Sequence, residues 1–195
     1  MNNTIEELIA YFKFQNKLKT VLRNNWTPDG RKESSAEHSW SVAMMAWLLT
    51  ANIENELNIR LNQDKIIKMA LIHDIVEIKA GDVAAWDKKG REVIKIKERN
   101  AIEDIFSNLP EPKGREIYEL WIEHDRLQTI ESKLVKACDQ MCPLIYRIVY
   151  KNTYEGTGMT RKKLDDIFMK IVEFSKTTLN IYLNLATELE KEKIL

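Results

Sequence analysis

The chain has 195 residues, 44% hydrophobic and 31% charged, a globular composition that excludes a disordered or fibrous protein. Thirty Lys and Arg balance thirty Asp and Glu, so no broad basic field grips a nucleic-acid backbone, although a small anion can still be held locally. Met1 to Glu7 lack a secretory pattern, and the longest apolar run, Val42 to Leu49, is far too short to cross a bilayer. The expected location is the cytoplasm, with neither membrane nor nucleic acid as partner.

Helical spacing dominates from the start. Ile5, Leu8, Ile9, Phe12, Leu18, Val21 and Leu22 recur every three or four residues and predict an amphipathic helix ending near Arg23. Asn24 to Ser35, with Pro28, Asp29 and Gly30, reads as a loop. A second helix, about Ala36 to Leu57, is apolar on most faces and is expected to be the central, most buried one. Asn62 or Asp64 caps a third, which carries Ile66, Ile67, Met69, Ala70, Leu71 and Ile72 up to His73 and Asp74 and ends at Gly81.

Asp82 to Arg91 is expected to be a surface loop, followed by a charged helix over roughly Glu92 to Asn108 that Leu109-Pro110-Glu111-Pro112 stops. Another helix covers about Lys113 to Arg126, and a long one begins near Glu131. Asn152 to Thr160, with Gly156 and Gly158, is a loop, and a last helix runs from about Arg161 to near the C-terminus. No stretch alternates polar and apolar residues well enough to predict a sheet. The chain is expected to be a single all-α domain over residues 1–195, a bundle of about seven helices. Cys138 and Cys142, four residues apart on one helix, read as buried structural thiols rather than a disulfide framework.

Few residues carry chemistry. There are only three histidines, and two stand beside acidic residues, in Glu37-His38 and His73-Asp74. Imidazole nitrogen and carboxylate oxygen suit borderline divalent ions such as Mn, Co, Fe, Ni or Zn. On a helix, Glu77 projects to the same side as His73 and Asp74, and two acids with an imidazole on one face are in conflict without a cation. The bland alternative is a solvated helix terminus. Asp139 lies beside an apolar stripe of Leu134, Val135, Cys138 and Met141, so it needs a cation or a basic partner, and a lysine or arginine serves as well as a metal. Pro143 cannot donate to the Asp139 carbonyl, so the helix is expected to bend there.

Taken together, His38, His73-Asp74 and Asp139 on successive helices resemble the HD-domain superfamily of metal-dependent phosphohydrolases. Glu33-Ser34-Ser35-Ala36-Glu37-His38-Ser39-Trp40, Ala70 to Glu77, Gly81-Asp82 and Thr129 to Asp139 are similar to the YfbR-type 5′-deoxynucleotidases and related HD-domain-containing proteins. The resemblance runs from about Leu18 to Arg147, so the motif-bearing core covers about 18–150 and a helical extension about 160–195.

That resemblance implies one divalent ion held by His38, His73, Asp74 and Asp139, with Glu77 handling protons and Asp82 positioning or deprotonating the attacking water. Members with more ions use further histidines; here only His124 remains, and it is expected on a helix surface. The family also implies an arginine and a tryptophan at the substrate. Arg23 and Trp26 stand in about that place, but Asn24 and Asn25 separate two residues that are adjacent in the family pattern. The implied substrate is a small nucleotide, a nucleoside 5′-monophosphate, and homodimers are common in the family. Two alternatives stay open: hydrolysis of another phosphoester, such as a guanosine polyphosphate or cyclic nucleotide, and a non-catalytic metal- or nucleotide-binding module. Gly156-x-Gly158 lacks the lysine and preceding strand of a phosphate loop and is a turn.

Overall fold

The computed structural model describes residues 2–83 and 88–195. Among these lie nine α-helices and one two-stranded sheet, so the all-α class holds with more helices than the seven expected.

Helix α1 (Asn2–Gln15) ends well before Arg23, in a 3₁₀ turn over Asn16–Thr20. The expected loop is instead a hairpin: β1 (Leu22–Trp26) pairs antiparallel with β2 (Lys32–Ser34), Leu22 opposite Ser34 and Trp26 opposite Lys32. Gly30 at φ 80° closes its turn. Periodicity missed these strands for a physical reason. In β1 the apolar Leu22 and Trp26 face outward while Asn25 is buried, the inverse of a core-facing strand.

Ser34 caps α2 (Ser35–Leu57) in a reciprocal box: its hydroxyl accepts from the Glu37 N–H, and the Glu37 carboxylate accepts from the Ser34 N–H. The helix is not the most enclosed one. It buries Val42, Ala43, Ala46 and Ile53 but leaves Trp40, Trp47 and Leu48 exposed. The enclosed helix is α7 (Ile130–Tyr150), which packs against α2 and against helices that precede and follow it in the chain. It runs unbroken through Pro143 and buries Leu134, Val135, Ala137, Cys138, Met141 and Leu144. Cys138 and Cys142 are free and buried on it, with Cys142 Sγ 3.7 Å from Met45 Sδ.

Asn62 caps α3 (Gln63–Ile72) through the Lys65 N–H. The helix stops at Ile72 instead of continuing to Gly81. Bonds from Ile75 N–H to the Ile72 carbonyl and from Glu77 N–H to the Asp74 carbonyl tighten the backbone before the short α4 (Glu77–Ala80). α5 (Lys88–Phe106) starts earlier than expected, and part of the expected Asp82–Arg91 loop lies outside the described residues. α6 (Lys113–Arg126) has the expected bounds.

The single C-terminal helix expected is two, α8 (Arg161–Val172) and α9 (Lys176–Lys191). Ser175 Oγ caps α9 by accepting from the Thr178 N–H, and Thr178 Oγ1 donates to the Val172 carbonyl at 2.6 Å. Apolar spacing continues across this break, so only the caps mark it. Three clusters fill the interior: one among α2, α3 and α7, one among α7, α8 and α9, and one joining α5 and α6 to Ile75 and Val76.

Candidate metal centre

The first cluster carries the polar residues singled out in the sequence. His38 enters one turn into α2, so the Ser34–Glu37 cap fixes its approach; its ring is fully buried. His73 and Asp74 occupy the tightened turn after α3, and Asp139 comes from the middle of α7. One donor atom each from His38, His73 and Asp74 lies within 4.8 Å of the others. Asp139 Oδ1 is 2.9 Å from His38 Nε2 and 3.7 Å from His73 Nε2, and Asp74 Oδ1 is 3.1 Å from His73 Nε2. Four side chains from three helical segments therefore converge.

His73 Nδ1 donates to the Ala70 carbonyl at 2.7 Å, which turns Nε2 into the cluster. That Nε2 is buried without a hydrogen-bond partner. An unpaired buried nitrogen flanked by two carboxylates fits a divalent ion of the borderline group. Asp139 also has the basic partner foreseen as its alternative: Lys136 Nζ is 2.6 Å from Oδ2, leaving Oδ1 to the histidines.

Electrostatics keep the carboxylates charged. Burial opposes ionisation of Asp139, yet Lys136, the hydrogen bond with His38 and the nearby charge of His73 hold its carboxyl well below the usual range. Asp74 is likewise buried but is lowered by His73, Arg23 and His38. Burial, helped by Arg23, drops His38 to about 4, so its ring is neutral. His73 is raised, because Asp74 and Asp139 outweigh its burial.

Arg23 reaches this centre from β1. Its Nη1 is 2.9 Å from Asp74 Oδ2 and 3.9 Å from both Glu77 Oε1 and Asp82 Oδ1. The guanidinium thus sits on the outer oxygen of Asp74 and leaves Oδ1 facing His73. Glu77 accepts from Ser35 Oγ at 2.7 Å. Burial, then the nearby charge of Asp74, pushes the Glu77 carboxyl well above its usual range. The helical spacing used to group His73, Asp74 and Glu77 does not describe the backbone here, yet Arg23 gathers Asp74 and Glu77.

Arg23, Asp74, Glu77, Asp82 and Asp139 line a cavity of about 330 Å³ that continues past Pro143 to Ile167 and Ile171 of α8. Trp26 does not line it. That ring is half-exposed, 5.5 Å from Lys32 Nζ, and its backbone pairs with the Asn152 side chain. Asn24 and Asn25 line the cavity instead, and Asn25 donates to the buried Glu33 at 3.0 Å.

His124 is the clear correction. Expected on a surface, it is only 8% exposed, lines the same cavity and sits with its ring centroid 5.5 Å from that of His73. Its helix had offered a usable signal: Trp121, three residues earlier, is also buried and donates to the His73 carbonyl at 3.1 Å. Lys136 was missed too, since lysine three residues before an aspartate is common on any exposed helix.

The HD-domain family model matches residues 15–176. A human protein named 5′-deoxynucleotidase HDDC2 is 31% identical over 163 residues, 83% of this chain and 74% of that protein. Its Dictyostelium discoideum counterpart is 35% identical over 154 residues, 77% of this chain and 79% of that protein. The crystal structure of a predicted metal-dependent phosphohydrolase from Magnetospirillum magnetotacticum superposes with a TM-score of 0.85 at 31% identity, covering 99% of this chain and 98% of the other. The chain belongs to the HD-domain family.

Proposed function

We propose that this chain is a metal-dependent phosphohydrolase that releases phosphate from nucleoside 5′-monophosphates, with deoxyribonucleotides preferred. His38, His73, Asp74 and Asp139 are read as the ligands of one divalent ion of the Mn, Co, Fe, Ni or Zn group, and residues 1–195 as one HD domain. The observation that carries this reading is the buried, unpartnered His73 Nε2 among His38, Asp74 and Asp139. Relatives named 5′-deoxynucleotidase support the substrate class.

When bound, the ion acidifies a water and neutralises charge developing on the phosphoryl group. The chain's own residues do the rest. Arg23, half-buried and ion-paired, presents a guanidinium held in place at the cavity, suited to phosphate oxygens. Glu77, its carboxyl raised by burial and by the charge of Asp74, is suited to pass a proton to or from the reacting oxygens. Asp82 lies across Arg23 from Asp74 and is suited to orient water at the cavity wall. The apolar end toward Ile167 and Ile171 gives room for the nucleoside.

The experiment is phosphate release across deoxy- and ribonucleoside 5′-monophosphates, after chelation and with each ion restored, for the natural protein and Asp74→Ala. Release that requires an ion and vanishes in Asp74→Ala is expected. Undiminished activity after exhaustive chelation and in the variant overturns the reading, and pyrophosphate as product redirects it to polyphosphate substrates.

A further inference from the structure

The chain's three histidines stand in a row, with ring centroids 5.5 Å apart from His38 to His73 and 5.5 Å from His73 to His124. The first two belong to the cation cluster. His124 is not part of that donor group among the described residues, yet its Nε2 is buried without a hydrogen-bond partner. A packing histidine has no use for such an atom, because an unpaired buried polar group opposes folding.

We propose that His124 Nε2–H donates to the phosphate of the substrate, entering the cavity from α6 while Arg23 enters from β1. This rests on the phosphohydrolase reading and adds a substrate contact to it. Three observations select phosphate. The ring adjoins His73, so whatever meets Nε2 lies beside the reacting group rather than at the apolar end of the cavity. Lys136 lines the same cavity and neutralises the outer oxygen of Asp139 at 2.6 Å, which lowers the negative charge that an anion meets there. Phosphate oxygens only accept, and the unpartnered Nε2 can offer them an N–H.

The test uses the full chain loaded with zinc, a diamagnetic ion, and titrated with inorganic phosphate. Imidazole nitrogen resonances are followed, that of His124 being assigned by its loss in His124→Asn. Phosphate is expected to shift the His124 Nε2 resonance. By calorimetry, His124→Leu should bind phosphate about tenfold more weakly, as when a hydrogen bond to a charged group is lost, with zinc affinity within twofold. His124→Asn keeps an N–H donor and should recover part of the loss. An unmoved resonance in the natural protein overturns the proposal, whether or not the variants fold. So does phosphate affinity equal in all three proteins, or a zinc affinity that falls by the same factor, which makes His124 a support for His73. Turnover is measured separately, so absent nucleotide hydrolysis removes the enzymatic reading and leaves the phosphate contact to be judged by its own data.

Discussion

His38 Nε2 donates to Asp139 Oδ1 at 2.9 Å, joining two residues 101 positions apart in the sequence. Both are buried, one on α2 and one on α7, and these two helices pack directly. The His38–Asp139 pair is thus a property of the α2–α7 interface, to which the turn after α3 adds His73 and Asp74.

Ion binding should be coupled to proton release from His73. Asp74 and Asp139 raise the His73 pKa above 6.5, and an ion must displace the proton from Nε2. His38 is already neutral and has only to move its hydrogen to Nδ1, which has no partner. Affinity should therefore rise as pH climbs through and above 6.5. Calorimetry in two buffers of different ionisation enthalpy counts the protons; a count of zero at pH 6.5 contradicts this assignment.

Glu77→Gln should leave the fold and ion affinity in place, because the amide copies the shape of the carboxyl and can keep the Ser35 contact. If Glu77 transfers a proton, kcat should fall by about 10²–10⁴, the usual worth of a positioned acid or base, with KM little changed. Steady-state kinetics on the variant decides between this and a purely structural carboxyl.

Acid stability should depend on Glu37, which closes the α2 cap. Hydrogen bonds from Arg31 and from Ser34 lower its pKa from 4.5 to about 2, against an opposing cost of burial. A depressed carboxyl contributes stability that is full above the unfolded value and is lost as pH falls through the folded one. Unfolding followed from pH 6 to pH 2 should show this loss between about 4.5 and 2 in the natural protein and a flatter profile in Glu37→Gln. The group is mostly exposed, so the difference should be modest.

Gly114→Ala should destabilise the protein by about 1–3 kcal/mol, the typical cost of forcing extra volume into a packed site. A Cβ there would lie 2.7 Å from the Phe106 carbonyl oxygen and 3.0 Å from that of Leu109, both backbone atoms with little freedom to retreat. Thermal or urea unfolding measures the change, and an unaltered midpoint would show that the α5–α6 corner relaxes.

What the sequence by itself determined was local. Apolar spacing gave the helical class and the bounds of Lys113–Arg126, and His73-Asp74 and an aspartate within the stripe of Leu134, Val135 and Cys138 marked the candidate centre, because neighbours along a chain report their own chemistry. Only the tertiary structure decided what covers each face. It turned β1 so that Asn25 points inward and Trp26 outward, left Trp40 and Trp47 of α2 exposed, and buried His124 beside His73. Periodicity states that a helix has an apolar side, but the partner on that side comes from a distant segment, and burial, pairing and charge follow from that partner.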